Sequence, residues 1–557
     1  MSPQPPTGVA LLLVESTGLS TPLQPNLPLR NLVSRRGDSV CTGDLGLKFL
    51  HIAAARSESP LVCTADAQFS YSSLAVAALS LSRLLESARV SEENSTAEPG
   101  ARVVVLLPNS PEYLAAFYGV LLAGGVVVPV APKIEAETLR RIVETTSATH
   151  IITTAHILAA RHDLQAIPTQ TVDWSIGNDG IGTAVEERSS ENRTNVDDDN
   201  RLAAIFFTGG TSGTPKGVML SHRNLISNAE SIRQYLGLTE TDNPLCILPF
   251  MHAFGNSVLQ SHVLAGSRLT LCGHTAFPQT IVDGLKTHAC TSLSGVPDLF
   301  RMLLSRTALG QAALPDLRYM AVAGGALPQP LALELAEKIK PARFFVMYGQ
   351  TEATARLAYV PPERLLDRPD GAIGQPVPGV TLEIVTPEGV PVAPGDVGEL
   401  RARGPNIMLG YWSDPDETAG RIRDGWLYTG DLASRGENDW IVLRGRSNSF
   451  VKIAGFRVHP QELEEFAARR LGADQAVAVP FNGTVGTRLA LFLKFAAGPT
   501  PGLADLLAAC RAELPHYLAP EIIQLVDEFP LNHAMKIDRP ALSQRAEEAL
   551  LQRRISA

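Results

Sequence analysis

The chain has 557 residues, 45% hydrophobic and 19% charged, enough for two or more domains with cores of their own. A formal net charge of -9 argues against general nucleic-acid binding, which draws on a basic surface. The cysteines Cys41, Cys63, Cys246, Cys272, Cys290 and Cys510 are scattered and include no Cys-x-x-Cys pair, so the expectation is reduced thiols in a cytoplasmic protein, with neither a zinc site nor a disulfide framework.

Residues 1–43 are rich in Pro, Ser, Thr and Gly without a sustained period and read as a flexible extension. Met1–Pro6 carries no basic residue, unlike the front of a signal peptide. A helical pattern begins at Leu47, with a short strand at Gln68–Tyr71 and a helix at Ser73–Leu85. Arg102–Leu107 reads as a buried strand, Pro108-Asn109-Ser110-Pro111 opens a helix, and Val126–Val130 is the next strand. The run Leu114–Val130 is apolar, but Gly119, Gly124, Gly125 and Pro129 mark it as a buried helix turning into a buried strand, not a membrane span. His150–Thr153 is strand-like, and Asp179–Asn200 is a polar, acidic loop.

Leu202–Phe207 reads as a strand that delivers the chain to Phe207-Thr208-Gly209-Gly210-Thr211-Ser212-Gly213-Thr214-Pro215-Lys216-Gly217. Then come a helix at His222–Gln234 and strands at Cys246–Pro249, Arg268–Leu271, Ser292–Ser294, Tyr319–Ala323 and Phe344–Met347. This alternation predicts parallel or mixed sheets with helices on their faces. Thr381–Arg403 changes to short strands with turns, as in a β-rich subdomain. Beyond Arg446, Phe450–Val458 is strand-like, Pro460–Leu471 helical, Gln475–Pro480 and Ala490–Phe495 strands, and Leu503–Leu514 helical. The expected organisation is therefore α/β: an extension (1–43), a large domain of mixed and parallel sheets with a β-rich subdomain (44–445), and a small mobile α+β domain (446–557).

The Phe207–Gly217 stretch holds four glycines, three threonines, a serine and Lys216. Small residues let backbone amides approach a polyphosphate, and the hydroxyls and lysine add donors and charge. It is not a Walker loop, because Pro215 precedes the lysine and Gly217 follows it, leaving no hydroxyl beside the lysine for magnesium. The order of residues resembles the phosphate-loop signature of the adenylate-forming superfamily, which includes acyl-CoA synthetases, fatty-acid–CoA ligases, peptide-synthetase adenylation domains and luciferases. Six further stretches match that family in its own order, so the resemblance covers roughly residues 47–545.

The resemblance assigns roles residue by residue. Thr208, Gly209, Gly210, Thr211, Ser212, Gly213 and Lys216 hold ATP phosphates. In Ile247–Gly255, His252 stands at the acyl pocket. In Ala323–Pro328, Gly324 and Gly325 border the acyl pocket, and Gly325 and Ala326 border adenine. In Met347–Glu352, Tyr348 lies on adenine, with Gly349 and Gln350 beside it; Thr351 contacts phosphate and Glu352 holds magnesium. Asp431, in Tyr428-Thr429-Gly430-Asp431, accepts from the ribose hydroxyls, and Arg446 reaches the same sugar. Asn448 stands at the interdomain hinge, where the family has Asp or Lys. Gly455, in Phe450–Val458, lines the thiol tunnel. Lys536 falls on the catalytic lysine of Pro530–Arg539, with Met535 in place of the family's glycine.

Together these imply two steps: ATP-dependent formation of an acyl-adenylate, then transfer to a thiol after the small domain swings. Lys536, Glu352, Thr208 and Lys216 carry the first. Amino-acid adenylation domains of the family place an aspartate just after the His252-like segment to bind the α-ammonium; Phe254-Gly255-Asn256-Ser257-Val258 offers none, and Leu259, Val263 and Leu264 continue as an apolar helix, so the resemblance implies a fatty or other apolar acyl acid. With only Ile537–Ala557 after Lys536, the expectation is a thiol supplied in trans, from coenzyme A or from the phosphopantetheine of a separate carrier protein. A carrier-loading ligase, a luciferase-like oxygenase and a non-catalytic relative are the alternatives.

Overall fold

The computed structural model describes residues 43–90, 100–167, 169–176, 199–208, 215–272, 277–446, 451–453, 456–458, 460–483, 486–495, 501–531 and 537–555. Gly209, Gly210, Thr211, Ser212, Gly213, Asn448, Gly455, Met535 and Lys536 lie outside the described residues, as does the extension up to residue 42. The chain divides into two compact units, one up to Leu382 together with Ala402–Leu427, the other Glu383–Arg401 together with Tyr428 onward.

The first unit is built on two sheets. One runs in the order Gly410–Tyr411, Lys216–Ser221, Leu202–Thr208, Val126–Pro129, Arg102–Val105, His150–Thr153, Gln170–Asp173. Its last five strands are parallel and its first three antiparallel. The parallel strands are valine- and isoleucine-rich without alternation, because both faces are covered. The apolar run 114–130 is a buried helix, Pro111–Leu122, followed by the strand Val126–Pro129. Ser110 caps the helix by accepting from the Tyr113 amide, Pro111 pre-sets the first turn, and Gly124 makes the exit turn at φ +70°. Among the described residues no helix is long and apolar enough to cross a membrane.

The second sheet of this unit runs Ala372–Pro376, Ala358–Val360, Arg343–Tyr348, Tyr319–Val322, Ser292–Gly295, Pro244–Cys246, Leu269–Leu271, Pro60–Cys63, Gln68–Ser70. It is parallel from Arg343–Tyr348 to Pro60–Cys63 and antiparallel at both ends. One strand expectation is displaced here: the ladder is Pro244–Cys246, not Cys246–Pro249. Asn109 takes over beyond Cys246, donating to the Leu248 carbonyl (2.8 Å) and accepting from the Phe250 amide (2.7 Å), so the chain leaves the sheet on a side-chain clamp.

In the second unit, the strands Thr381–Val385, Val397–Arg403, Trp426–Arg435 and Ile441–Arg446 follow one another in sheet order. A separate three-stranded sheet pairs Gln475–Asn482 with Thr487–Lys494 and Ile522–Leu525. Alternation divides its side chains between two cores. Ala478, Leu489, Leu491 and Leu493 meet Leu463, Ala467, Leu506 and Cys510 on one face. Val477, Val479, Phe481, Ala490 and Phe492 meet Leu542, Ala546 and Leu550 on the other. The stretch expected as one strand, Phe450–Val458, contains two short antiparallel strands, Val451–Ile453 and Phe456–Val458.

Candidate active site

The phosphate-loop stretch is flanked by two paired strands. Leu202–Thr208 pairs antiparallel with Lys216–Ser221, and Thr208 lies opposite Lys216, so both ends of the loop are held together. The Thr208 hydroxyl donates to the Lys216 carbonyl at 3.5 Å. A Cβ at Gly217 would stand 2.9 Å from Ile205 Cγ2 and 3.2 Å from Trp412 Cβ, so packing against Trp412 requires glycine there. The Lys216 ammonium sits 2.7 Å from a Glu417 carboxylate oxygen and 5.5 Å from the centre of the Tyr411 ring. Glu417 stands in the first turn of the helix Pro415–Arg421, where the Asp414 cap accepts from its amide. The hydrogen bond from Lys216, aided by Arg421, holds the Glu417 carboxyl below the usual range.

The strand Arg343–Tyr348 delivers Tyr348-Gly349-Gln350 into a tight turn, Thr351–Ala353. The chain then doubles back: the Ala355 amide donates to Gln350 (3.0 Å) and the Leu357 amide to Tyr348 (2.9 Å), with Thr354 and Ala355 at φ +55° and +102°. A Cβ on Gly349 would lie 1.9 Å from the Ala355 carbonyl oxygen, so the reversal itself demands glycine. Glu352 is clasped from both ends. Its carbonyl accepts from the Met408 amide (2.9 Å), and its carboxylate accepts from the Tyr411 hydroxyl (2.8 Å). Burial, reinforced by Glu352, pushes the Tyr411 phenol well up, so it remains a donor at any working pH. Tyr411 is anchored because Gly410–Tyr411 pairs with Val218 and Met219 while the Trp412 amide donates to Gly217 (2.7 Å). One short strand thus joins Lys216 to the carboxylate of Glu352.

His252 is half-buried at the start of the helix Ala253–Leu264. Gly324, at φ +89°, Gly325 and Ala326 are exposed after the strand Tyr319–Val322. The helix behind His252 is more polar inside than the apolar reading expected: Asn256, Ser257, Gln260, Ser261 and His262 are buried alongside Leu259 and Val263. The Gln260 carbonyl accepts from the Tyr118 hydroxyl at 2.7 Å. His262 Nδ1 donates to the Val258 carbonyl (2.8 Å) and Nε2 faces the Tyr319 hydroxyl (3.3 Å). Burial pushes His262 down to about 4, so it is neutral near pH 7.

In the second unit, Asp431 lies opposite Arg446 on paired strands, and Arg446 Nε donates to Asp431 Oδ1 at 3.0 Å. Asp431 is 6% exposed. Gly430 and Gly445 sit at φ +75° and +126°, the left-handed region. The Thr429 hydroxyl donates to the Leu400 carbonyl (2.7 Å) and accepts from the Asp431 amide (3.1 Å), fixing the acid from behind.

In the first unit the Glu352 carboxylate has the chemistry a hard cation takes. Among the described residues no cluster of three His, Cys, Asp or Glu side chains could hold a metal. Glu352 offers a single oriented carboxylate, and magnesium is usually held by one or two carboxylates with substrate phosphates completing its shell. Tyr411 and Glu417 were not among the candidates drawn from sequence. Asp414-Pro415-Asp416-Glu417 does carry a helix-start signature, which places Glu417 in a first turn but not beside Lys216.

Comparison with known proteins bears on the family and the fold. A family model described as AMP-binding enzyme matches residues 49–412. The long-chain-fatty-acid–CoA ligase of Salmonella typhimurium is 30% identical over 491 residues, 80% of this chain and 86% of that protein. ATP-bound MatB from Rhodopseudomonas palustris superposes with a TM-score of 0.75 at 24% identity, covering 91% of this chain and 99% of that one. O-succinylbenzoate coenzyme A synthetase from Bacillus subtilis, in complex with ATP and magnesium ion, gives 0.74 at 24% identity, covering 89% and 98%. Both structures share the mixed α/β fold. The chain belongs to the AMP-binding enzyme family.

Proposed function

We propose that this AMP-forming acid–thiol ligase converts a carboxylic acid with a largely apolar acyl chain and no α-ammonium to its acyl-adenylate, then passes the acyl group to coenzyme A. The observation that carries the reading is the Lys216–Tyr411–Glu352 arrangement, a cation and a carboxylate held in register at the end of the paired strands that flank the glycine-rich stretch. The absence of a carboxylate from Phe254–Val258 supports an acid without an α-amine.

In the first step the substrate carboxylate attacks the α-phosphorus of ATP, and pyrophosphate departs with the electron pair of the broken bond. Such transfers depend on positioning and charge neutralisation rather than on a protein nucleophile. Thr208 and Lys216 steady the β- and γ-phosphates. Magnesium, when bound, neutralises phosphate charge, and Glu352 is the side chain that would hold it. Asp431 and Arg446 take the ribose, and Tyr348 takes adenine. Lys536, by resemblance, bridges the carboxylate and the α-phosphate oxygens. In the second step a thiolate attacks the acyl carbon and AMP leaves; residues 446–557 serve as the mobile lid, with Asn448 at the hinge and Gly455 in the thiol tunnel. The scattered thiols suit a cytoplasmic enzyme.

Purified protein with ATP, magnesium and a panel of acids, with and without coenzyme A, tests this by mass spectrometry. The expected product is an acyl-CoA. Acyl-adenylate that persists despite coenzyme A would instead assign a carrier protein as acceptor, and no pyrophosphate from any acid would overturn the reading.

A further inference from the structure

Arg356 is 2% exposed, yet its charge is poorly met. Its guanidinium lies over the Phe254 ring, 4.2 Å from the ring centre. Nη1 donates at 3.3 Å to the carbonyl of its own neighbour Ala355, and the Tyr235 hydroxyl is within hydrogen-bonding reach. Nε has no partner, and the groups acting on Arg356 are tyrosines rather than any carboxylate. Arg368, buried in the same unit, shows what a structural arginine looks like here: it donates to Ala372 (3.1 Å), Gln329 (2.9 Å) and Leu327 (2.7 Å). Buried cations are normally paired, because desolvation is otherwise uncompensated. A π-face, one long hydrogen bond and a tyrosine hydroxyl offset only part of that cost.

The place of Arg356 is as telling as its environment. Its carbonyl accepts from Asn406 Nδ2 (2.8 Å), which fixes the backbone, and its Cα lies 2.9 Å from where a Cβ on Gly349 would stand. Its guanidinium reaches Phe254, two residues beyond His252. Its side chain therefore runs from the backbone beside Gly349, which the family resemblance sets at adenine, to Phe254 in the segment of His252, which the resemblance sets at the acyl pocket. A guanidinium whose Nε–H has no partner matches a carboxylate in geometry as well as charge.

We propose that Arg356 pairs with a second anionic group on the acid, so that the enzyme activates dicarboxylic acids, one carboxylate reacting with ATP and the other resting on the guanidinium. This rests on the ligase reading above and narrows its substrate: the apolar chain runs between two carboxylates. The chemistry of the two steps is unchanged, since only the first carboxylate reacts.

The test compares straight-chain monocarboxylic and dicarboxylic acids of matched length, in the wild type and in Arg356→Met and Arg356→Lys, by pyrophosphate release and by mass spectrometry of the acyl-CoA. The wild type is expected to favour the dicarboxylic acid in kcat/KM by about a hundred-fold, the scale of leaving a buried charge without its partner. Arg356→Met, which keeps most of the buried volume, brings that ratio to one or reverses it, and Arg356→Lys lies between. A wild type that prefers monocarboxylic acids, or a methionine variant that slows both classes equally, overturns the proposal while the ligase reading stands. If the variants fail to fold, the wild-type ratio alone decides. Pyrophosphate release with no acid at all sinks both readings.

Discussion

Tyr411→Phe removes one oxygen from the site and leaves nearly everything else in place. The ring is 3% exposed and keeps its packing and its position beneath the Lys216 ammonium. What disappears is the 2.8 Å hydrogen bond to Glu352, the contact that orients the carboxylate. A hydrogen bond to a charged group contributes about 1.5–3 kcal/mol. At about 1.4 kcal/mol per decade, its loss lowers kcat/KM for adenylation roughly ten- to a hundred-fold. The loss should appear chiefly as a higher magnesium concentration for half-maximal rate, because the freed carboxylate samples orientations that cannot reach the cation. The assay is pyrophosphate release against magnesium at saturating acid, with thermal unfolding as the control for folding. An unchanged magnesium dependence in a folded variant would refute the assignment of Tyr411 as the residue that positions Glu352. Because burial pushes the phenol well up, the wild type itself should show no loss from Tyr411 ionisation at working pH.

Other outcomes are equally open to measurement. Lys536→Ala should slow acyl-adenylate formation by at least roughly 10²–10³-fold, the scale of one preorganised stabiliser, and an unchanged single-turnover rate would remove the lysine from that role. Gly349→Ala forces a Cβ to within 1.9 Å of the Ala355 carbonyl oxygen and should cost about 3 kcal/mol in urea unfolding; a stability equal to wild type would show that the reversal can relax. Burial pushes His222 and His262 down to about 4 from an ordinary 6.5. The unfolded chain therefore binds more protons than the folded one across that interval, and stability should fall as pH drops from about 6.5 to 4. Urea midpoints that stay flat from pH 7 to 4.5 would contradict the burial of these neutral rings.

Much of this protein is written locally. The alternation of valine-rich strands with helices fixes the α/β class, because a strand buried on both faces has no polar side to show. Ser110-Pro111 and Gly124 bound a buried helix by backbone chemistry alone, which is why an apolar run as long as 114–130 is legible as two elements. The glycine-rich stretch, Tyr348–Glu352 and Tyr428–Asp431 are likewise readable, since each needs particular residues next to one another in the chain. What stays hidden in sequence is pairing between distant segments. Lys216 meets Glu417 because Gly410–Tyr411 happens to register on Val218 and Met219, and no local propensity sets that register. The apolar pattern of Ala253–Leu264 conceals buried Asn256, Gln260 and His262, whose partners Tyr118 and Tyr319 come from other elements. Nothing in the local sequence singles out Arg356. Only the tertiary fold, by turning the chain back on Gly349 and laying Phe254 across it, takes the guanidinium out of water without giving it a carboxylate.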